Sequence, residues 1–546
     1  MGKGKNTLNE FKQLEAYGKS WGIVKYFSLN DEIDFDSIAI DGIKEILAND
    51  SSLNRTIDEL LQKINIEDNN KSININEVDY KFKWLVENNS INQQNKSRLL
   101  AVISSYKANK NRYYNCKDSN IPYLREIPCF SNEKRYKDLG LFPPLEYRIL
   151  ALFRFWNIVH FFYPYKEQIK DDWKEKISEY TPLLINTSND IAYHAIIFKL
   201  IASIEDSHTL VFSNAFFEKW NWHGFYPPFH VEKINNHFII VRILDETLCN
   251  EKNIFVGDTI IKIDEENILE KYSMLFSLFG ASNKRMQEFK ICIYYLFNGG
   301  KDTDIKLTFL RYGKEVIENV KRNIGFGSAY FPPFPIPIEN KRITEESSVY
   351  SINNDSICYI YVPTFSIQDY RKNRKELLNT KGLILDLRGY PKFEGMYALF
   401  KHFKVPRNDR VYMNLISQDN SNITIKRNKN LTIKYPLYSF LNKRYNGKIV
   451  CLINPYAISA MESLAMSLQK MGGYFIGEST AAGNGSISGI NLPGGIYVQL
   501  SMIKVLFSNG NSLLPKGVNP DYLIPNSTIN NLSFFHQALF YIEDGK

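Results

Sequence analysis

The sequence predicts a multidomain α/β protein, and three observations predict it. Long apolar stretches near the start repeat at helical spacing. The middle third changes to alternating strands joined by tight turns. From about residue 346, short apolar runs alternate with helical patterns, the order expected of a largely parallel sheet. The expected division is a helical region at 1–130, a second helical region at 131–215, a strand-rich module at 216–324, a proline-rich linker at 325–345 and an α/β domain at 346–546.

The helical part contains an imperfect internal repeat. Leu14–Phe27 aligns without gaps to Ile149–Phe162, with Ala16/Ala151, Trp21/Trp156, Ile23/Ile158, Val24/Val159 and Phe27/Phe162 identical. Each copy precedes an acidic turn and a further helical pattern, DFDSIAIDGIKEILAND or DDWKEKISEYTPLLIN. Two copies are too few for a solenoid, so they are expected to pack around a shared aromatic core. KWLVENNSINQQNKSRLLAVISSY predicts another helix pair, and the segment from Cys116 to Pro144 reads as irregular linker.

The strand-rich module opens with FHVEKINNHFIIVRIL, a hairpin around Asn235-Asn236. VGDTIIKIDEENI follows, with Gly257-Asp258 as the turn into a strand. This order resembles a PDZ domain and its GDxIxxIxG element, with Glu265 in place of the last glycine. The α/β domain reads ICYIYVPTF, a basic helix, GLILDLRG, a helix from about Met396, KIVCLIN, the helix after Ser459, YFIGES and YVQLSMIKVLF. Loops at the carboxyl ends of parallel strands carry the chemistry in such sheets.

Composition and charge narrow the function. At 44% hydrophobic and 14% aromatic the chain is globular, with large buried areas. Net charge is +8, but no dense Lys/Arg block occurs beyond MGKGK, which argues against nucleic-acid binding. Six scattered cysteines without CxxC spacing form neither a disulfide framework nor a zinc site, and no HxxxH or HExxH occurs. No metal or organic cofactor is implied. No apolar run reaches the roughly 18 residues of a membrane span. The N-terminus shows no signal-peptide pattern, so the expected location is cytoplasmic, or periplasmic or extracellular if a signal has been removed. Oligomeric state is not legible.

Ser459 is the first candidate for chemistry. It stands on the strand-to-helix turn of NPYAISAMESLAMSL, directly after KIVCLI. Two uses fit it. A serine N-cap accepts a hydrogen bond from the first turn of a helix. A nucleophile on the same turn is held in the open, with following N–H groups, beginning with Ala460, aimed at a developing oxyanion. A nucleophilic serine needs a base. His208 stands out because Asp206, Ser207, His208 and Thr209 form a polar cluster between apolar runs. That cluster suits a capped turn or a base with its orienting partners. His160, in an aromatic helix, reads as packing, and His223 and His230 as loop residues.

Taken in order, VGDTIIKID, ICYIYVPTF, GLILDLRGYP, SAME, GESTAAGNG and KGVNPD resemble the C-terminal processing (tail-specific) peptidase family, over roughly Phe217 to Pro525. WNIVHFFYPY and DSHT are similar to its extended Bacteroidetes-type members and its tricorn core-like branch. The resemblance implies a PDZ-like domain ahead of a Clp protease/crotonase-like catalytic domain. It implies Ser459 as nucleophile, Ala460 N–H and a backbone N–H around Lys392 as oxyanion donors, and Ser207-His208 as the serine–histidine pair that supplies the base. Two departures are visible. Tyr390, Lys392 and Phe393 replace the family's asparagine and glycines, and Asn484 lies where processing peptidases have a base lysine. Tricorn-type members add a late glutamate; Asn519 occupies one such place here, leaving Glu478 or Glu462 as candidates, and Glu462 also fits a capping box. The leading expectation is a serine endopeptidase acting on peptides or proteins. The rivals are a catalytically inactive peptide-binding protein of the same fold and a narrow-specificity intracellular maturation protease.

Overall fold

The two tryptophan-bearing repeats are the helices Leu8–Phe27 and Leu145–Phe162, buried without interruption from Ala16 to Phe27 and from Arg148 to Phe162, polar side chains included. The computed structural model describes residues 8–28, 32–48, 52–64, 80–105, 113, 115–117, 127–170, 172–219, 222–327, 348–352, 356–403, 411–417, 429–434, 444–525 and 531–544. Glycines let the two helices touch. A Cβ on Gly22 would fall 1.9 Å from Asn157 Oδ1, and one on Gly18 2.6 Å from the Phe153 ring. The repeat is structural as well as sequential. Trp21 Nε1 donates to Phe35 O, and Trp156 Nε1 to Trp173 O, each at 2.7 Å. Each indole thereby satisfies a carbonyl at the start of the next helical element, Phe35–Ala48 or Trp173–Glu175. The further helix pair is present as Lys83–Glu87 and Gln93–Ser105.

The segment expected to be irregular linker does more than connect. Asn115–Lys117 pairs antiparallel with Ile127–Cys129, and Glu133 just beyond is buried. Its carboxylate closes a four-charge cluster. Lys25 Nζ lies 2.7 Å from both Asp36 Oδ1 and Glu133 Oε2. Arg154 reaches the same two acids at 2.6 and 2.7 Å. Tyr26 donates to Glu133 Oε1 at 2.7 Å, and Tyr136 to Asp36 Oδ2, the oxygen Arg154 also holds, at 2.8 Å. Paired this fully, the cations hold the Asp36 carboxyl far below its ordinary range against the opposing effect of burial. Arg154 Nη1 also donates to Asn491 O at 2.6 Å, fastening the N-terminal helices to the C-terminal strand Ile487–Leu492. Removing one cation leaves buried carboxylates undercompensated, with Arg154 still bridging both. Lys25→Met is therefore expected to cost about 3 kcal/mol, read as a lowered denaturant midpoint at unchanged slope.

The middle module is an antiparallel sheet in the order Lys314–Lys321, Asp304–Arg311, Thr259–Ile263, His237–Ile243, Phe229–Ile234, with Glu266–Asn267 beside Thr259–Ile263. The expected hairpin turn is there: Asn235 and Asn236 take φ 47° and 65°, the double left-handed conformation of a two-residue hairpin turn. The helix Lys284–Lys290, continued by a wider turn over Ile291–Tyr295, packs against Phe229–Ile234. The proline-rich linker lies outside the described residues from 328 onward.

The C-terminal sheet runs Val349–Ile352, Ile357–Tyr361, Gly382–Asp386, Lys448–Ile453, Tyr474–Gly477, Tyr522–Leu523, parallel after the antiparallel first pair. Its central strands are apolar runs buried at every position, as strands covered on both faces must be. Two expectations change here. The helix expected from Met396 begins at Phe393. YVQLSMIKVLF is not a strand of this sheet: it divides at Met502 into Ile496–Ser501 and Ile503–Phe507, which join different three-stranded antiparallel sheets. Ile496–Ser501 pairs with Leu210–Ser213, the strand that follows DSHT. Among the described residues no helix is long and apolar enough to cross a membrane.

Candidate functional site

Ser459 does not have the backbone of an ordinary capping serine. The chain leaves Lys448–Ile453 and turns on Asn454, whose Oδ1 accepts from Tyr456 N–H at 3.1 Å and whose carbonyl accepts from Ala457 N–H at 2.9 Å. Ser459 then takes φ 58°, ψ −116°, a conformation an L residue holds only under constraint, whereas an N-cap residue is normally extended. Ser459 and Ala460 are partly exposed while residues 451–458 are buried. Ala460 N–H, the first of the helix Ala460–Lys470, makes no hydrogen bond among the described residues. The turn thus presents a hydroxyl next to an open donor.

Two contacts impose the strain. Ser459 N–H donates to Gly483 O at 2.8 Å and to Glu462 Oε2 at 3.2 Å. Glu462, wholly buried, gathers the loop after Tyr474–Gly477 onto the helix start. Its Oε1 accepts from Thr480 Oγ1 at 2.5 Å and Ala482 N–H at 2.9 Å, and Oε2 also accepts from Gly483 N–H at 3.0 Å. Burial outweighs these four donors and pushes the carboxyl up to about 7. Glu462 is half of a capping box, enlarged into a clamp on residues 480–483.

The same loop receives DSHT. A Cβ on Gly483 would meet Ser207 Cβ at 2.9 Å and Ile458 Cδ1 at 3.2 Å, so this glycine is where the two segments converge. Ser207 Oγ donates to Ala481 O at 2.7 Å. Ser282, from the antiparallel-sheet module, exchanges hydrogen bonds with Ser207 at 3.0 Å and donates to Ala482 O at 2.7 Å. His208, partly exposed, is oriented from its other side. Asp206 Oδ1 accepts from His208 N–H at 2.9 Å and from Ser501 Oγ at 3.2 Å; Oδ2 accepts from Ser501 N–H at 2.8 Å. His208 Nδ1 lies 3.1 Å from Ser501 Oγ. Because Ser501 gives its proton to Asp206, its oxygen accepts from Nδ1–H, leaving the lone pair on Nε2. Burial holds the imidazole below its ordinary pKa, opposed by Asp206 and reinforced by Lys290.

Ser459, Ala460 and Ser207 therefore gather around residues 481–483, and His208 is the next residue in the chain after Ser207. Lys392 sits at the N-terminal end of the helix Phe393–Phe400, after a loop leaving the strand next to that of the serine turn, in register Asp386↔Leu452. The loop is anchored by Arg388, buried and doubly bonded to Asp386 at 2.9 and 2.6 Å. Tyr390 and Lys392 are exposed. Glu478 is engaged elsewhere: Arg285 holds both its oxygens at 2.9 and 3.2 Å and reaches Glu232 at 2.7 Å. The carboxylate beside His208 is Asp206. Asn484 Nδ2 donates to Ser463 Oγ at 3.0 Å, and Asn519 Oδ1 accepts from Ser479 Oγ at 2.8 Å. A cavity of about 610 Å³ beside Arg285, Glu478 and Ser479 is lined by neither Ser459 nor His208.

Sequence reasoning missed Ser501, Ser282 and Lys290. Only the pairing of distant strands reveals the first: Leu210 opposes Gln499, and two residues further in that register Ser501 stands opposite His208.

Residues 356–524 match the model of peptidase family S41. No curated protein matches the sequence. Among solved structures, a CPAF mutant is 13% identical and superposes with a TM-score of 0.51, covering 73% of this chain and 97% of that one, which identifies a shared fold. Also similar are a photosystem II D1 C-terminal processing protease (14% identical, 69% and 93% covered, TM-score 0.40) and a putative peptidase from Parabacteroides merdae (15%, 74% and 98%, 0.42).

Proposed function

The chain belongs to peptidase family S41 through residues 356–524, and from that premise we propose that it is a serine endopeptidase acylated on Ser459, with His208 as general base. The observation that carries the reading is the 481–483 loop, bound at one side to Ser459 N–H and at the other to Ser207. As Ser459 Oγ attacks the scissile carbonyl carbon, its proton passes to His208 Nε2. The oxyanion is met by Ala460 N–H and a backbone N–H around Lys392. The imidazolium returns the proton to the leaving amine, and water, deprotonated by the same histidine, hydrolyses the acyl-enzyme. Asp206, acting through Ser501, stabilises the charged imidazole and takes the orienting part for which Glu478 is a candidate on sequence alone. Asn484, an amide bonded to Ser463, has no proton-accepting part.

In this reading the 216–324 module is PDZ-like and presents an extended peptide. Support comes from Lys314–Lys321, which among the described residues ends the sheet order with Asp304–Arg311 as its one strand partner, an edge to which a strand can be added. The domain divisions expected from the sequence belong to the same reading.

Labelling with a fluorophosphonate tests the proposal: the wild type is expected to label at Ser459, and a folded wild type that stays unlabelled counts against it. The depressed His208 pKa gives a second expectation. The base is the neutral imidazole, so labelling should persist below pH 6.5 and its acid limb should fall at lower pH than an ordinary histidine gives. A midpoint at or above the ordinary value would contradict the assigned environment.

A further inference from the structure

We infer that Lys290, on the helix Lys284–Lys290 of the antiparallel-sheet module, is a positioning residue that fixes His208 from behind. The inference rests on the reading of His208 as the base. Lys290 is 2% exposed. Its ammonium donates to Thr209 O at 2.8 Å, Gly280 O at 3.0 Å and Ser207 O at 3.5 Å. Three donors meet three carbonyls, and among the described residues no carboxylate forms an ion pair with it. Burying an ammonium without a counter-ion is costly, and burial pushes its pKa down to about 8. A position needing only packing would take methionine or leucine.

The carbonyls it grips explain the lysine. Those of Ser207 and Thr209 belong to the residues on either side of His208, so holding both fixes the backbone that aims the ring. The third belongs to Gly280, where a Cβ would lie 2.3 Å from Ala202 O, so this loop segment is pressed onto the helix Asp190–Ala202. Two residues on, Ser282 bonds Ser207 and Ala482. The module thus holds the histidine turn through Lys290 and the serine loop through Ser282. The charged groups named around the ring are Asp206 and Lys290, acting in opposite senses. The cation adds to burial in favouring the neutral base, and the carboxylate steadies the ring once protonated.

The test compares fluorophosphonate labelling rates, as a function of pH, in wild type, Lys290→Met, Lys290→Gln and His208→Ala. Both Lys290 variants are expected to label about 10- to 100-fold more slowly, with the acid midpoint moved upward because the opposing charge is gone. Folded Lys290 variants with wild-type rate and midpoint would overturn the inference; a silent His208→Ala in that experiment would leave the base assignment standing. His208→Ala labelling like the wild type overturns the base assignment itself, and with it the role of Lys290.

Discussion

Ser459→Ala and His208→Ala are each expected to lower peptide hydrolysis by about 10⁵- to 10⁶-fold in kcat, and the double variant to be no worse than either alone. Residues that act as one unit lose most of their effect when any member is removed. The double variant therefore separates two cases that single variants confuse. If His208 acts only by taking the Ser459 proton, its loss costs nothing further once the serine is gone. If the two contributed independently, the losses would multiply. The strained turn supplies a companion measurement. Ser459 holds φ 58°, ψ −116°, a region open to glycine at little cost. Ser459→Gly should thus abolish fluorophosphonate labelling while raising stability by about 1 kcal/mol, seen as an increase in Tm. A serine retained only to cap the helix would give the opposite: lower stability in the glycine variant and unchanged activity.

Much of this was legible in the sequence where local pattern and chemistry coincide. The Trp21 and Trp156 repeats are visible because apolar spacing and identical residues reinforce each other, and Asn235-Asn236 because two left-handed residues in succession restrict the residue types. KIVCLI and GLILD show as strands because a doubly covered strand must be apolar throughout. The parts that were not legible depend on contacts across hundreds of positions. Glu133 looks like any surface acid in a polar stretch until Lys25 and Arg154 converge on it. YVQLSMIKVLF reads as one strand because its apolar run is continuous; only its two partners show the break at Met502. Glu478 and Asp206 are equally acidic in the sequence. The structure separates them by giving Glu478 to Arg285 and Asp206 to Ser501. The serine turn and DSHT can each be found from local chemistry, but their convergence on Gly483 is a property of the fold.

Glu462→Ala should lose about 4 kcal/mol of stability together with at least a 100-fold drop in Ser459 labelling. Four donors converge on this one buried carboxylate: Thr480 Oγ1, Ala482 N–H, Gly483 N–H and Ser459 N–H. Each is left without that acceptor in the variant, and a buried donor without a partner costs about 1–3 kcal/mol. The sum is tempered because Ser459 N–H keeps Gly483 O and water can enter the space. Activity falls for a geometric reason: residues 480–483 are what hold Ser207 beside the serine turn. Glu462→Gln is a sharper probe than its similar size suggests. A protonated acid can still accept from Ala482 N–H at the oxygen that faces Thr480, whereas an amide nitrogen placed there cannot. The wild-type carboxyl, raised to about 7 from its ordinary 4.5, binds a proton more readily in the folded than in the unfolded chain. Its contribution is therefore fully present below about pH 4.5 and is lost as pH rises through 7. The stability advantage of wild type over Glu462→Gln should be largest near pH 4.5 and should shrink toward pH 7. Denaturant titrations at several pH values measure it directly. An advantage that grows over that range would mean that the four donors, rather than burial, set the charge of Glu462, and that the clamp on the serine turn is held by a carboxylate already ionised in mild acid.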